Sequence, residues 1–374
     1  MKLTKLCLEK FCVFQKAQFE FSPGINIFIG ANATGKSHLL KLLYSILKAN
    51  EKADKTTPTS PNNLETLLKQ KLVSVFRPDP VRPEEAPREQ TEGLGRLVYR
   101  MKGRTSGHVD LTTDEGSLSF RLTTPGRLAD LQDALQKPES ALFIPSRECL
   151  AMYDGFVAAY DKRELSFDET YYDLCLALSA SPARGPWPSS LSQLNSDLEN
   201  VLGGRVHFSG GRFYVYNDDG FIEAHMLSEG MRKIAALFRL LQSQSLTQNG
   251  VLFWDEPEAN LNPKLVTVVS RILLKLATAG VQIFVATHDY LLSQELSLIA
   301  EYRDLQPEEL RCDMRFFCLS RDTEAGISIE KGDTLPQLRH NPIVDEFAAH
   351  YDRERGLFAR PHPASNAPLA GQAT

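Results

Sequence analysis

No apolar run in this 374-residue sequence approaches the roughly 18 residues that a membrane-spanning helix needs. The start, MKLTKLCLEKF, also has no apolar core of the kind a secretory leader carries. The expectation is a cytoplasmic protein without a membrane partner. Cysteine is scarce: Cys7, Cys12, Cys149, Cys175, Cys312 and Cys318 form no CxxC pair and no clustered His/Cys ligand spacing. Most have apolar neighbours, as in DLCLAL and RFFCLS, which favours reduced, buried thiols over a disulfide framework or a zinc site. A surplus of positive charge is missing as well, since the formal net charge is −5. That balance does not support bulk electrostatic coating of nucleic acid, although a local basic patch is left open. There is no internal repeat and no heptad run long enough for a coiled-coil arm. What is present is 42% hydrophobic content, ample for one large domain or two ordinary ones.

The chain alternates quickly at first. LTKLCLE and AQFEF have the look of short strands, and INIFIG is an apolar run leading into glycines and the helical pattern SHLLKLLYSILKAN. Residues 1–49 form the first unit. Residues 50–140 are read as an insertion, with Pro- and charge-rich linkers at KADKTTPTSPNN and RPDPVRPEEAPREQTE. Inside it lie a helix (LETLLKQKLVSVF) and three candidate strands (RLVYRMK, HVDLTT, SLSFRLT), taken as a small antiparallel meander. ALFIP is a buried strand, and helical patterns around 148–162, 168–180 and 190–202 make 141–203 a helical subdomain. From 204 to 358 come a hairpin around Gly210-Gly211, then alternating strands and helices, a strand pair (MRFFCLS, GISIEK) and a helix near 343–355. The tail 359–374 is polar and expected to be disordered. Tyr171, Tyr172, Tyr214 and Tyr216 are expected to serve core and sheet packing rather than base stacking, because basic interleaving is absent.

GANATGKS spans Gly30, Ala31, Asn32, Ala33, Thr34, Gly35, Lys36 and Ser37, and matches G-x-x-x-x-G-K-[ST] between a strand and a helix, with His38 next. Such a loop wraps backbone N–H groups around phosphate oxygens, so glycine is needed where φ is positive or a side chain would clash. Lys36 would reach the β- and γ-phosphates, Ser37 would ligate Mg²⁺, and the helix N-terminus adds its dipole. VLFWDEPEANLNP then ends an apolar strand in Asp255-Glu256. The first carboxylate suits the Mg²⁺ shell and the second a general base for the attacking water. The plainer alternative is an acid pair capping a helix. VQIFVATHDY places His288 at the end of another buried strand, 32 residues after Glu256, at the edge where open α/β sheets bind ligands. A lone histidine is more often structural; this position favours contact with a γ-phosphate or water. LSEGMRK, residues 227–233, has Ser228 as an N-cap and Glu229 in the first helical turn, which alone would explain the stretch.

The ordered set resembles the ABC-type ATPases, in the soluble SMC/RecF-like branch. It is similar in particular to short AAA-family ATPases of prokaryotic defence operons, which share the SEG signature, the DEPEANLNP stretch and a FIPSRE-like segment, Phe143 to Glu148 here. The resemblance covers about 1–49 and 227–290 at motif level. It implies an α/β P-loop ATPase head with a mixed sheet, an N-terminal antiparallel β lobe beside a parallel core, a helical/β insertion and no long coiled coil. It also implies ATP and Mg²⁺ as cofactors and an ATP sandwich in a homodimer. Lys36, Ser37, Asp255, Glu256 and His288 would act in cis and Ser228 with Gly230 in trans, the Glu229 carboxylate at that seam pointing away from the nucleotide to Arg232, Lys233 or a cation of the facing subunit, and Asn260 to Pro263 would line the seam. Three departures stand out: LSEGM replaces LSGGQ, Cys12 follows Phe11 where relatives carry arginine, and no Q-loop glutamine can be placed, Ser146, Arg147 and Glu148 standing near its position.

The function implied is an ATP-hydrolysing switch, slow or partner-stimulated, that dimerises on ATP and serves an effector, a nuclease by analogy, in antiviral defence. A recombination or repair ATPase of RecF type, handling DNA, is the alternative, and a transporter energy subunit is disfavoured.

Overall fold

Sequence alternation dictates the first sheet. In a computed structural model that describes residues 1–53, 63–78, 97, 106–123, 127–138, 140–182, 189–322 and 326–358, Leu3–Phe11 (β1) and Phe14–Glu20 (β2) pair as an antiparallel hairpin. Leu6, Leu8, Phe14 and Phe19 are buried. Leu3 joins the same face through a bulge between Leu3 and Lys5 in the pairing with the next strand. That strand is Ser106–Thr113 (β4), followed by Gly116–Thr123 (β5) and Arg127–Asp133 (β6), in the order β2-β1-β4-β5-β6. The meander is antiparallel as expected, but it is hydrogen-bonded along β1 and enlarges the N-terminal lobe. An unpaired β1 edge would leave a row of backbone donors and acceptors open. Its third strand is 127–133. The candidate RLVYRMK lies outside the described residues apart from Leu97, as does the tail 359–374.

The second sheet has the order β14-β13-β3-β12-β11-β7. Ile25–Gly30 (β3), Ala141–Ile144 (β7), Val251–Asp255 (β11), Gln282–Ala286 (β12) and Met314–Asp322 (β13) run parallel, and Gly326–Gly332 (β14) closes the edge antiparallel. The central strands are buried along almost their whole length, because both faces are covered. On one face Phe143, Phe253, Phe284, Phe28 and Phe317 form a row across five strands, with ring centroids 5.0–6.5 Å apart. This row packs on the β lobe and on Lys36–Lys52 (α1). On the other face Ile27, Leu252, Trp254, Ile283 and Val285 meet Glu229–Gln242 (α6), Pro263–Thr278 (α7) and Tyr290–Glu301 (α8).

Leu64–Phe76 (α2) matches its sequence pattern. The helix expected over 148–162 is only Phe156–Asp161 (α3), since turns occupy the residues before it. Glu169–Ser179 (α4) and Ser189–Leu202 (α5) complete the helical part. The start of α4 is tied to the first two helices: Lys41 pairs with Asp168 at 2.8 Å, Lys71 with Asp173 at 2.6 Å, and the Tyr44 hydroxyl donates to Asp173 at 2.5 Å. Arg205–Ser209 (β8), Arg212–Asn217 (β9) and Gly220–Glu223 (β10) form a small third sheet. Tyr171 is buried, but Tyr216 is exposed and Tyr214 half-buried, on the outer face opposite Phe213 and Val215. Strict alternation along β9 turns these two outward, where they serve sheet packing, Tyr214 and Tyr216 meeting Phe221 across the strands at 5.6 and 5.5 Å. Pro342–Phe358 (α9) ends the described chain, with Ile343 its buried residue.

Candidate nucleotide site

Because β7, β11, β12 and β3 are parallel, their C-terminal ends share one edge. Asp255 is in register with Ala286, and Ala286 with Phe28. The Gly30–Ser37 loop, the Asp255-Glu256 pair and Thr287-His288 therefore emerge side by side. The loop after β3 turns at Gly35, whose φ of +95° suits glycine, and a Cβ there would lie 2.5 Å from Val13 Cγ2. No side chain caps the N-terminus of α1, leaving its first turn as an anion-binding feature. Ala31, Asn32 and Ala33 are exposed at the loop tip, while Thr34 is buried and donates to the Ala31 carbonyl at 2.9 Å. His38 is exposed with its ring 5.9 Å from Phe76.

Lys36 is buried and donates to the Gly30 and Ala31 carbonyls at 2.7 and 3.0 Å, folded back into its own loop. Burial pulls its ammonium below the usual lysine range, opposed by the nearby Asp255, Glu256 and Glu258 carboxylates. Ser37 Oγ donates to Asp255 Oδ1 at 3.0 Å. Burial pushes the Asp255 carboxyl up, and the Ser37 hydrogen bond pulls the other way. Hydroxyl and carboxylate are hard oxygen donors, and Mg²⁺ takes one or two protein ligands beside phosphates and water. Among the described residues no group of three or more His, Cys, Asp or Glu gathers as a metal site. The Ser37–Asp255 pair thus fits Mg²⁺ and not a cation needing a protein cage.

Glu256 sits at φ +48°, with its N–H bonded to the Ala286 carbonyl at 2.8 Å. Its Oε1 lies 3.3 Å from His288 Nδ1. A third carboxylate, Glu258, went unnoticed in the sequence. It is buried, accepts from Thr287 Oγ1 at 2.7 Å, and lies 4.0 Å from the same His288 nitrogen. Burial raises its carboxyl above the usual glutamate range. The one local signal was an acid inside a turn that also holds a proline, an asparagine and a second glutamate.

The LSEG segment stands apart. Ser228 caps α6 through Met231 N–H at 3.4 Å and is exposed, and Glu229 is half-buried. Among the described residues neither contributes a hydrogen bond or ion pair to the cluster around Ser37, Asp255, Glu256 and His288. Gly230 is buried against Leu261; a Cβ there would lie 2.9 Å from its Cδ2. Of the two cations expected near Glu229, Lys233 feels its carboxylate, which opposes the lowering that burial imposes on the Lys233 ammonium. Arg232 Nε instead pairs with Glu148 at 2.6 Å, and Lys233 Nζ donates to the Ala259 and Glu256 carbonyls at 2.7 and 3.3 Å. Glu148 thus acts in the FIPSRE segment as a tether to the signature helix, and Arg147 is exposed beside it.

Residues 139–293 match the family described as "AAA domain, putative AbiEii toxin, Type IV TA system", and residues 1–80 match one described as an AAA ATPase domain. No curated protein matches the sequence. Among solved structures, an SMC head bound to the C-winged helix domain of ScpA is similar in fold, with a TM-score of 0.51 at 13% identity. That match covers 90% of this chain and 98% of the other. The SMC head domain from Thermotoga maritima matches at 0.48 and 14% identity, covering 88% and 98%. A Pyrococcus furiosus Smc head with an extended coiled coil, bound to the C-terminal domain of ScpA, matches at 0.48 and 12%, covering 95% and 99%. The two family matches liken parts of the chain to AAA ATPase domains, and the fold resembles that of an SMC head.

Proposed function

We propose that this ATPase of AAA/SMC-head type binds MgATP at Gly30–Ser37 and Asp255, then closes as a homodimer around it. Ser228 and Gly230 of one copy face the γ-phosphate held by the other, with the Glu229 carboxylate between them turned away from it. Glu256 orients and deprotonates the attacking water, with His288 beside it. Phosphoryl transfer depends mostly on positioning and on compensating charge, so an open half-site binds ATP but hydrolyses it slowly. Closure adds the Ser228 hydroxyl and the Gly230 N–H to the developing charge. The homodimer then reports its nucleotide state to a partner effector, a nuclease in antiviral defence by analogy with the operons it resembles.

One observation carries the reading. The Ser37–Asp255 and Glu256–His288 pairs meet at one sheet edge, 3.0 and 3.3 Å apart, whereas Ser228 is exposed and takes no part in that cluster. In the sandwich the exposed Ser228 helix start of a second copy would supply donors to that edge.

The test is Glu256→Gln. The variant is expected to bind ATP with unchanged affinity, to hydrolyse it at least ~100-fold more slowly, and to elute as a dimer with ATP and a monomer without. An ATP-bound variant that stays monomeric overturns the sandwich. Salt-sensitive binding of labelled duplex DNA would instead favour the DNA-handling alternative.

A further inference from the structure

Pro257 separates two carboxylates of unlike surroundings. The Glu256 side chain is 33% exposed, that of Glu258 6%. Oε1 of Glu258 accepts from Thr287 Oγ1 at 2.7 Å and from the His288 N–H at 3.4 Å, while Oε2 is buried with no hydrogen bond to another residue among those described. A buried carboxylate with a free oxygen is costly. If the position only had to hold the Thr287-His288 turn, a glutamine would accept the same two hydrogen bonds at lower cost. What glutamate alone adds is negative charge on the protein side of the imidazole. His288 Nδ1 lies 4.0 Å from Glu258 Oε1 and 3.3 Å from Glu256 Oε1, so both acids address one ring nitrogen.

We propose that Glu258 is a positioning residue for the His288 ring: its charge, with that of Glu256, keeps a proton on Nδ1 and leaves Nε2, across the ring, to accept from the attacking water. Which ring nitrogen carries the proton is set by the group that the other elements hold against it. Glu256 cannot serve alone, because it must swing to the water during turnover and release the ring. Glu258 is fixed by Thr287 and stays. This role rests on the ATPase reading above, but the ring state can be read without hydrolysis.

The experiment uses the full chain and Glu258→Gln, which keeps both structural hydrogen bonds and removes only the charge. Two readouts are taken: steady-state MgATP hydrolysis, and ¹⁵N NMR of the imidazoles, with the His288 signal identified by its loss in His288→Ala. The variant is expected to keep the KM for ATP within about 3-fold and to lose about 10–100-fold in kcat. Its His288 proton is expected to redistribute away from Nδ1. Wild-type kcat together with an unchanged His288 signal overturns the proposal. If the wild-type chain hydrolyses no ATP, or Lys36→Ala hydrolyses it equally well, the ATPase reading fails instead. The NMR comparison then decides the positioning role by itself, an unchanged His288 signal in Glu258→Gln overturning it.

Discussion

Ser37 Oγ and Asp255 Oδ1 lie 3.0 Å apart, although 218 residues separate them in the chain. Ser37 stands in the first turn of α1, directly after the loop that follows β3, and β12 runs between β3 and β11 and sets the register of both. The parallel sheet therefore holds the two backbones in place, and one side-chain hydrogen bond joins them.

That rigidity makes the first prediction specific to the cation. Ser37→Ala and Asp255→Asn are each expected to weaken nucleotide binding about 10–100-fold in the presence of Mg²⁺. With EDTA present, both are expected to bind ATP as the parent does. Isothermal titration with and without the metal separates these outcomes. Equal losses under both conditions would assign the pair a purely structural role.

Ser228→Arg is expected to leave ATP affinity unchanged and to abolish both dimer closure and hydrolysis, because the new side chain occupies the face that must meet the other copy. Glu229→Gly is expected to preserve binding, since Glu229 makes no hydrogen bond or ion pair among the described residues. Light scattering with ATP, paired with phosphate release, checks both. Normal turnover by Ser228→Arg would reduce the stretch to a helix cap.

Local motifs made the site legible in the sequence, because Gly30–Ser37, Asp255-Glu256 and His288 each sit on a short strand-to-loop unit whose chemistry needs few neighbours. Long-range pairing was less accessible. The strand Arg127–Asp133 buries only Leu128, so its pattern is faint, and nothing local says that β4 adds to β1. Tyr216 reads as sheet packing and does pack on Phe221, but which face of a three-stranded sheet is covered depends on what lies behind it. Helix α8 starts at an Asp289 cap within THDY, directly after His288, so its first turn carries no apolar periodicity of its own. Glu258 was hidden for a related reason: its burial comes from Thr287, 29 residues away.

The FIPSRE segment offers a prediction about stability. Glu148 and Arg232 form an ion pair with side chains 8% and 16% exposed. Removing one partner leaves a poorly solvated charge, so Glu148→Ala is expected to cost about 3 kcal/mol. Arg232 keeps its bond to the Leu227 carbonyl, so Glu148→Ala combined with Arg232→Met should recover part of that loss. Chemical denaturation of the four proteins in a double-mutant cycle measures the coupling. Additive effects would mean that the pair holds nothing together.

The last prediction concerns pH. Burial raises the Glu258 carboxyl above its unfolded value, so the ionised form is less favourable folded than unfolded. The sign follows by linkage: above the folded pKa the native state carries this cost in full, and below the unfolded pKa the cost disappears. Glu258→Gln removes the charge without removing the Thr287 and His288 hydrogen bonds. It is therefore expected to raise the melting temperature at pH 7–8, with the gain shrinking as pH falls toward the unfolded glutamate range. Differential scanning calorimetry between pH 5 and 8, in the absence of nucleotide, checks the trend. The same substitution is expected to slow turnover. A variant more stable and less active than the parent would show that the chain keeps a destabilising acid for its effect on His288. A pH-independent difference in melting temperature would mean that Glu258 is not the buried anion its surroundings describe.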